Sequence, residues 1–501
     1  MLFCCWPEML FKLMFSLGVI IVLLVFAIPI FLILSRNYCK KKREASSKNG
    51  VFSVAFFHPY CNAGGGGEKV LWFAVKAVQT RYPKSKIVIY TGDLEASPEE
   101  ILRRAEQRLN ASLVEPVQFV YLRRRKWVEA NMYPYFTLLG QSLGSIFLGI
   151  EALAAFVPDL YIDTMGYAFT LPLFKIIGEC KVACYVHYPT ISTDMLRRVS
   201  GQVSAHNNRP YVAKSPFLTA GKLLYYKLFA WVNKTKQLNT TNWTEEHLNE
   251  LWLCPLKTHR VYPPCDVDDL KKMPISSKES DLQNDESQQD SSKKTNKKNG
   301  LIKIVSVGQF RPEKDHPLQL RSMYELRQLV PEEVWDKIML VFVGSCRDRV
   351  DEERVRDMQD LCKHLSLENN VQFKINIPYD DLKKELQEGL IGLHAMWNEH
   401  FGIGVVECMA AGLIMVAHRS GGPLMDIVIE SEGSRNGFLA ADEAEYAQAI
   451  ATILKLSPRT KKVIRDAARA SVDRFSVEEF DKGFLRAVDP FFCQHKRVES
   501  R

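Results

Sequence analysis

Short apolar runs that are typical of buried strands alternate with segments of helical spacing along most of the chain. In the C-terminal half these runs are LIKIVSVG, IMLVFVGS, VQFKINI, GLIGLHA and GLIMVAH. In the N-terminal half they are VFSVAFFH, KIVIYTGD, PDLYIDTM and KVACYVHYP. Alternation of this kind builds parallel sheets that are covered by helices on both faces. The pattern therefore predicts two doubly wound α/β domains that face each other across a cleft.

A polar segment interrupts this pattern and divides the 501-residue chain. From Met273 to Gly300 it has no aromatic residue and only three large apolar ones, too few to order it by burial. We therefore predict a flexible low-complexity insertion over residues 271–300, between an N-terminal domain over 51–270 and a C-terminal domain over 301–475. Residues 476–501 are expected to form a helix that packs back on the N-terminal domain, and a tail.

Residues 13–34 form a run of 22 residues without a charged side chain. As a helix this run would be roughly 33 Å long, enough to cross the hydrocarbon core of a membrane. A cleaved signal peptide would have a shorter apolar run and a small-residue cleavage site, which this sequence does not suggest. We therefore predict a transmembrane anchor over 13–34, after a short lumenal segment, 1–12, and before a basic juxtamembrane linker, 35–50.

The charges that flank the anchor predict its orientation. The preceding side has Glu8 and Lys12, whereas the following side is strongly basic, with Arg36, Lys40, Lys41, Lys42 and Arg43. Because basic flanks stay in the cytosol, both domains are expected there. The 12 cysteines agree, since their spacing fits neither a disulfide framework nor a zinc site. The net charge of +8 is a mild excess and does not indicate nucleic-acid binding.

Two further segments suggest contact with a membrane. YLRRRKW, residues 121–127, joins four cations to aromatic side chains, which suits anionic headgroups or a solvated charged loop. Residues 136–158 are apolar enough for a second span, but Gln141, Glu151 and several glycines favour a buried or interfacial helix. A second span would also place the two halves of the cleft on opposite sides of the membrane.

Candidate site residues follow the predicted strands of the C-terminal domain, where ligands bind in doubly wound sheets. After LIKIVSV, the loop that starts at Gly308 carries Arg311 and Lys314. Two cations in such a loop could hold a diphosphate, although a solvated strand-to-helix turn would look the same.

After GLIGLHA, the sequence WNEHFGIGVVECMAAG places Glu399 and Glu407 on either side of an FGIG turn that opens a helix. A helix N-terminus suits a phosphate or sugar hydroxyls, glycines let a ligand approach the backbone, and carboxylates suit diols. The alternative is a helix cap with a surface glutamate.

Four glycines, Gly64, Gly65, Gly66 and Gly67, follow the first predicted strand and precede a helix. They do not form the common phosphate loop, because Lys69 follows Glu68 instead of a glycine and Val70 replaces the hydroxyl residue. We predict that their backbone approaches the reacting groups from the acceptor side of the cleft and moves as the cleft closes. A plain tight turn would need only one or two glycines.

Taken together, these motifs resemble glycosyltransferase family 4, whose members have the GT-B fold. The resemblance is specific to the eukaryotic dolichol-pathway α-1,2-mannosyltransferases and covers essentially the whole chain. The motifs that carry it are FFHPYCNAGGGGEKVLW, ACYVHYPTIS, NTTNWT, VYPPCDV, GQFRPEKDH and NEHFGIGVVECMAAG. It implies transfer of mannose, the fourth and fifth, from GDP-mannose to dolichol-diphosphate-linked Man3GlcNAc2 on the cytosolic face of the endoplasmic reticulum, for protein N-glycosylation.

The resemblance also implies roles for single residues. Arg311 and Lys314 would neutralise the donor diphosphate, Glu399 would contact the transferred mannose, and Glu407 would bind the ribose diol. His187, after the strand KVACYV, would reach the sugar from the N-terminal domain, unless it is a core histidine. The remaining donor-binding residues implied by the resemblance are Gly308, Phe401, Gly402, Ile403, Gly404, Gly421 and Gly422.

Retention of the anomeric configuration is the expectation that comes with this family, through front-face attack in which the departing phosphate takes the acceptor's proton. No metal or other cofactor is expected, since two fixed cations can replace a metal ion at the diphosphate. Asp266-Val267-Asp268 matches a D-x-D metal motif, but we interpret it as a surface or hinge turn. Other dolichol-pathway mannosyltransferases are candidate partners. The open alternatives are a related transferase with another lipid acceptor and an inactive nucleotide-sugar-binding scaffold.

Overall fold

The structure is a computed structural model, and it describes most of the chain. The described residues are 6–46, 50–167, 169–187, 196, 199–201, 215, 219–226, 237–239, 258–274, 300–346, 349–431, 433 and 435–499. Most of the insertion predicted over 271–300 lies outside them, as do parts of the motifs ACYVHYPTIS and NTTNWT.

Within the described residues, the first domain contains a seven-stranded parallel sheet. Its strands are β1 Ser53–Phe57, β2 Lys86–Thr91, β3 Gln118–Tyr121, β4 Leu160–Asp163, β5 Lys181–Val186, β6 Gln237–Asn239 and β7 Thr258–Arg260. The strand order is β3-β2-β1-β4-β5-β6-β7. Since β1 pairs in parallel with both β2 and β4, the order reverses beside β1. Doubly wound sheets bind ligands at such a reversal.

Helices cover both faces of this sheet, as expected for parallel strands. Their bounds are α1 Trp6–Ser46, α2 Gly66–Arg81, α3 Pro98–Leu109 and α4 Thr137–Ala155. Because successive side chains of a strand point to opposite faces, Phe56 of β1 packs in a core with Trp72 of α2, whereas Phe57 packs in a second core with Leu148 of α4.

The second domain repeats this plan with a six-stranded parallel sheet in the described residues, in the order β10-β9-β8-β11-β12-β13. Its strands are β8 Ile302–Val307, β9 Ile338–Gly344, β10 Val371–Ile375, β11 Ile391–His394, β12 Ile414–His418 and β13 Gly437–Ala440. The helices that follow β7 are α5 Val267–Lys271, α6 His316–Arg327, α7 Glu332–Trp335, α8 Arg349–His364, α9 Tyr379–Glu388, α10 Ile403–Ala411, α11 Glu443–Lys455, α12 Pro458–Ser471 and α13 Val477–Glu499. Here the strand order reverses between β8 and β11, which pair directly.

The chain passes between the domains twice, and the two passages lie side by side. The backbone N–H of Cys265, after β7, donates to the carbonyl of Phe475, which precedes α13, at 3.0 Å. Beyond this point α13 returns to the first domain, where Phe484 is fully buried in the same core as Trp72. The ring of Phe492 stacks on Tyr82 with centroids 3.7 Å apart. The C-terminal helix therefore completes the core of the first domain.

The juxtamembrane segment predicted as a linker over 35–50 is helical as far as Ser46 and continues α1 without a break. Its cations contact backbone carbonyls at the C-terminal ends of α4 and of the π-helical turn Leu173–Ile177. Arg36 Nε donates to the carbonyl of Ile176 at 2.8 Å, and Lys42 and Arg43 donate to the carbonyls of Ala154 and Gly178. Cations are favourable at helix C-termini. These contacts fix α1 to the first domain.

Among the helices whose side chains the structure describes throughout, which leaves out α1 because nothing is described of the side chains at 16–24, α4 is the one that is long and apolar enough to cross a membrane, and one third of its most apolar part is buried. One face packs on the first domain through residues such as Ser145 and Leu148. The opposite face exposes an apolar stripe of Leu139, Leu143, Phe147 and Ile150. Residues at this spacing share one side of a helix. α4 is therefore a surface helix of the first domain whose outer stripe is apolar.

Truncation of Phe484 to alanine is expected to destabilise the first domain, because it removes a buried ring from its core. Large-to-small changes of this kind cost about 3–5 kcal/mol. The measurement is the thermal unfolding midpoint of the detergent-solubilised protein. Lys482→Ala on the same helix is the control, since its exposed ion pairs contribute little. Equal midpoints for the two variants would contradict the assignment of α13 to the first-domain core.

Candidate functional site

The predicted site residues lie at the carboxyl ends of central strands in both sheets, beside the two reversals of strand order. The glycines follow β1, His187 follows β5, and the remaining candidates follow β8, β11 and β12. The two groups face each other. A Cβ atom built on Gly66 would lie 3.0 Å from Cδ1 of Ile403, so the first turns of α2 and α10 meet across the cleft.

Lys314 and Glu399, which sequence reasoning placed in separate loops, form an ion pair. Lys314 Nζ donates to Glu399 Oε2 and lies 3.2 Å from the sulfur of Met396. His394 Nε2 is 3.2 Å from the same carboxylate oxygen. Burial opposes ionisation of Glu399, but Lys314 and His394 more than offset it and hold the pKa of the carboxyl well below its usual range. Glu399 is therefore a fixed carboxylate.

The loop of Gly421 and Gly422 packs directly on the backbone that carries Glu399. The N–H of Gly422 donates to the carbonyl of Glu399 at 2.7 Å. Gly421 has φ +58°, and a Cβ atom there would overlap the same carbonyl oxygen. Only glycine fits both the left-handed backbone and this close approach. The two glycines thus shape the wall behind Glu399.

Arg311 lies in the same loop as Lys314, which leaves β8 at Gly308. Its guanidinium is partly buried, with Nη1 3.8 Å from Glu313 Oε1. The side chain of Lys314 folds back beside Gly308, where a Cβ atom would lie 3.6 Å from its Cδ. The cations predicted for a diphosphate therefore share one loop at the end of the central strand.

The FGIG turn opens α10 as the sequence predicts. Phe401 is buried against Phe475, with ring centroids 5.0 Å apart, and anchors the turn in the core. Gly402 has φ +106° and precedes the first helical residue. A Cβ atom on Gly404 would lie 3.4 Å from the carbonyl oxygen of Val307, the last residue of β8. The positive end of the α10 dipole is therefore beside the loop that carries Arg311.

Of the four glycines, Gly64 and Gly65 lie between β1 and α2, and Gly66 and Gly67 begin the first turn of α2. Gly64 has φ +75°, and the N–H of Gly65 donates to Glu68 Oε2 at 2.5 Å, which caps the helix. A Cβ atom on Gly67 would lie 3.5 Å from His187 Nε2. Side chains of both domains therefore lie beside this half-exposed loop.

His187 is a neutral imidazole in the wall of the cleft. Its Nε2 is 3.1 Å from the carbonyl oxygen of Thr164, so this nitrogen carries the hydrogen. Burial, with a contribution from His58, lowers the pKa of His187 to about 4. The imidazole therefore adds no positive charge near neutral pH.

Sequence reasoning missed Lys69 as a site residue. Its Nζ lies 2.7 Å from Glu407 Oε1 and 3.2 Å from Asp266 Oδ2, and it joins the first domain to the second. Burial opposes its charge, but Glu407 and Asp266 raise its pKa above the ordinary value. Asp266 was interpreted as part of a surface or hinge turn; the surface turn was wrong, because its side chain is buried, whereas its position beside the passage between the domains fits a hinge.

Two more polar residues of the first domain were missed, His58 and Glu68. His58 is fully buried, with Nδ1 2.8 Å from Thr164 Oγ1 and Nε2 3.4 Å from Glu68 Oε1. His58 follows β1 directly and Glu68 follows the last glycine, and this position on each side of the glycines was the available signal. Among the described residues, no three His, Cys, Asp or Glu side chains are grouped closely enough to hold a metal ion.

Comparison with known proteins gives two matches to family models. The model described as ALG11 mannosyltransferase N-terminus matches residues 51–252, and the model described as glycosyl transferases group 1 matches residues 287–470. The curated GDP-Man:Man(3)GlcNAc(2)-PP-Dol alpha-1,2-mannosyltransferase of Homo sapiens is 51% identical over 90% of each chain. The protein of the same name in Dictyostelium discoideum is 43% identical over 89% of this chain and 86% of its own.

Solved glycosyltransferase structures share the fold at low sequence identity. Sucrose-phosphate synthase from Thermosynechococcus elongatus superposes with a TM-score of 0.62 at 15% identity, over 88% of this chain and 100% of its own. WaaG, a glycosyltransferase involved in lipopolysaccharide biosynthesis, has a TM-score of 0.58 at 14% identity, over 87% and 99%. These likenesses and the two facing sheets confirm the predicted GT-B fold. The chain belongs to the family of GDP-Man:Man(3)GlcNAc(2)-PP-Dol alpha-1,2-mannosyltransferases.

Proposed function

We propose that the protein transfers α-1,2-linked mannose from GDP-mannose to dolichol-diphosphate-linked Man3GlcNAc2 and adds the fourth and fifth mannoses. The main support for this proposal is the Lys314–Glu399 ion pair beside the N-terminus of α10. It supplies a cation for a diphosphate and a fixed carboxylate for sugar hydroxyls at one place. The relatives that span 90% of the chain carry the name of this activity.

The donor diphosphate lies in this proposal between the cationic loop and the N-terminus of α10. As the bond between the mannose C1 and the phosphate oxygen breaks, negative charge builds on the departing GDP. Arg311, Lys314 and the free N–H groups of the helix stabilise that charge without reorganisation, and such preorganised groups are the largest contribution in many enzymes.

The transfer itself is proposed to occur at the front face, with retention of configuration. The acceptor hydroxyl oxygen bonds to C1 on the side that GDP leaves, and its proton passes to the departing phosphate oxygen. Glu399, held ionised, accepts hydrogen bonds from mannose hydroxyls and fixes the ring for attack. His187 lies on the first-domain side of the transferred mannose. Because its imidazole is neutral, it does not attract the diphosphate away from the cations of the second domain.

We further propose that the protein is held at the cytosolic face of the endoplasmic reticulum membrane by α1 as a single transmembrane helix. Three observations support this arrangement. The described side chains of α1 from Val25 to Leu34 are largely exposed and apolar. The basic end of the same helix is fixed to the first domain. The apolar stripe of α4 adjoins exposed Arg124, Lys126 and Trp127. An interfacial α4 would keep the cleft near the lipid-linked acceptor.

Purified protein with GDP-mannose and a short-chain lipid-linked trimannosyl acceptor is expected to add two hexoses to the acceptor. The same transfer is expected in an excess of chelator, because the cations of the β8 loop replace a metal ion. Mass spectrometry of the product counts the added hexoses. An unchanged acceptor would refute the proposed function. Transfer that stops in chelator and returns with a divalent ion would refute only the metal-independent mechanism.

Replacing Arg311 or Lys314 by alanine is expected to lower kcat by about 100-fold or more, since charge on the leaving diphosphate is then unbalanced. Initial rates with the same acceptor measure this loss. The thermal midpoint should change far less than the rate. Lys384→Ala, which removes an exposed cation of the same domain, is the matched control. Near-normal turnover in both site variants would remove these residues from the mechanism.

Gly66→Val is expected to abolish transfer and preserve the fold, because its side chain would press on Ile403 where the two domains meet. Product formation and the circular-dichroism spectrum report the two effects. Gly221→Ala is the control, since a Cβ atom there meets no neighbour within 4 Å. Full activity of Gly66→Val would reduce the glycine loop to a structural turn.

A further inference from the structure

The ammonium group of Lys69 is enclosed between the two domains. Lys69 lies in the second half of the first turn of α2, two residues after the last glycine, and its side chain is only 7% exposed. It contacts one carboxylate of the second domain, Glu407, and one at the domain junction, Asp266. Tyr379 of α9 approaches the same oxygen of Asp266, with its hydroxyl at 3.4 Å. Four chain segments therefore meet at one cation.

A buried charge cluster of this kind contributes little to the stability of a folded protein. One cation faces two carboxylates, so the group carries one net negative charge in a region from which water is largely excluded. Desolvation of a buried ion pair consumes most of its attraction, and apolar side chains of equal volume are often as stabilising. We therefore expect the role of Lys69 to lie in its effect on the side chains that it contacts.

The partner with a chemical role is Glu407, under the proposed function on which this inference rests. Glu407 lies one turn into α10, beyond the N-terminus that faces the glycine loop, and is the carboxylate expected to bind the ribose of GDP-mannose. A free glutamate side chain samples several rotamers, and ordering it costs free energy when a ligand binds. Lys69 engages Oε1 at 2.7 Å and fixes the side chain before the donor arrives. Among the described residues, no other group contacts the Glu407 carboxylate through a hydrogen bond or ion pair, so Oε2 is available to a diol.

We propose that Lys69 is a positioning residue for the donor: by holding Glu407 it orders the carboxylate that receives the ribose hydroxyls. Because Lys69 belongs to the first domain and Glu407 to the second, the ribose site is complete only while the domains are docked. Lys69 also lies on the helix that the glycines open. Donor binding and the position of the acceptor-side loop are thereby coupled through one side chain.

The test compares the binding of GDP and of 2′-deoxy-GDP to the full-length protein in detergent by calorimetry. Lys69→Met keeps the length of the side chain and removes its charge. We expect it to weaken GDP binding about tenfold, the usual value of a charge-assisted hydrogen bond. Binding of 2′-deoxy-GDP, which lacks one hydroxyl of the diol, should change less than twofold. An effect on domain structure alone would weaken both nucleotides equally.

Further variants distinguish a loss of the Lys69–Glu407 contact from a general loss of structure. Glu407→Gln should show the same selective loss, and adding Lys69→Met to it should cause no further loss, because both act on one contact. Lys69→Met leaves the carboxylates of Asp266 and Glu407 without their cation and could prevent folding. In that case the double variant Lys69→Met with Asp266→Asn, which removes one of these two charges, takes its place in the binding test. Lys76→Met, on the same helix, is the matched control and should bind both nucleotides as the wild type does.

The outcomes separate this inference from the function on which it rests. Wild-type protein that binds no GDP would refute the proposed donor. Wild-type protein that binds GDP, with Lys69→Met showing equal losses for the two nucleotides or no loss for either, would overturn the role of Lys69 and leave the donor assignment intact.

Discussion

Strands that are buried on both faces leave only their ends for polar chemistry, and this constraint determines where the cleft of this protein can form. In each sheet the order reverses beside the first strand, so the segments that leave neighbouring strands diverge to opposite faces and open a crevice. The glycine loop after β1 and the cationic loop after β8 occupy these two crevices. The two domains face each other so that the first turns of α2 and α10 meet.

Two glutamates near α10 are each compensated by a lysine, but the lysines come from different domains. Glu399 is paired with Lys314 of its own domain, whereas Glu407 is paired with Lys69 of the other. The first pair persists however the domains move, and the second exists only while they are docked. If GDP-mannose binds as proposed, the sugar end of the donor site is permanent and the ribose end depends on closure. The return of α13 to the first domain adds a second constraint on that movement.

Much of this architecture could be predicted from the sequence, because strand runs, glycine turns and helix starts are local patterns. The loops of Gly308 and Phe401, and the glycines before α2, all lie at the predicted strand ends. The Lys69–Glu407 pair could not be predicted, since its partners are 338 residues apart and each alone resembles a surface charge. Burial of Asp266 was missed for the same reason. The basic segment after the predicted anchor was interpreted as a linker because its attachment depends on carbonyls at distant helix ends.

In the proposed arrangement the second domain holds the donor diphosphate, and the glycine loop serves the acceptor. A structure of the protein with a non-transferable fluorinated GDP-mannose analogue tests this most directly. We expect the diphosphate oxygens to lie within hydrogen-bonding distance of Lys314 and of backbone N–H groups at the start of α10, with the ribose on Glu407. A diphosphate bound by the N–H groups of Gly64 to Gly67, without contact to Lys314, would contradict it.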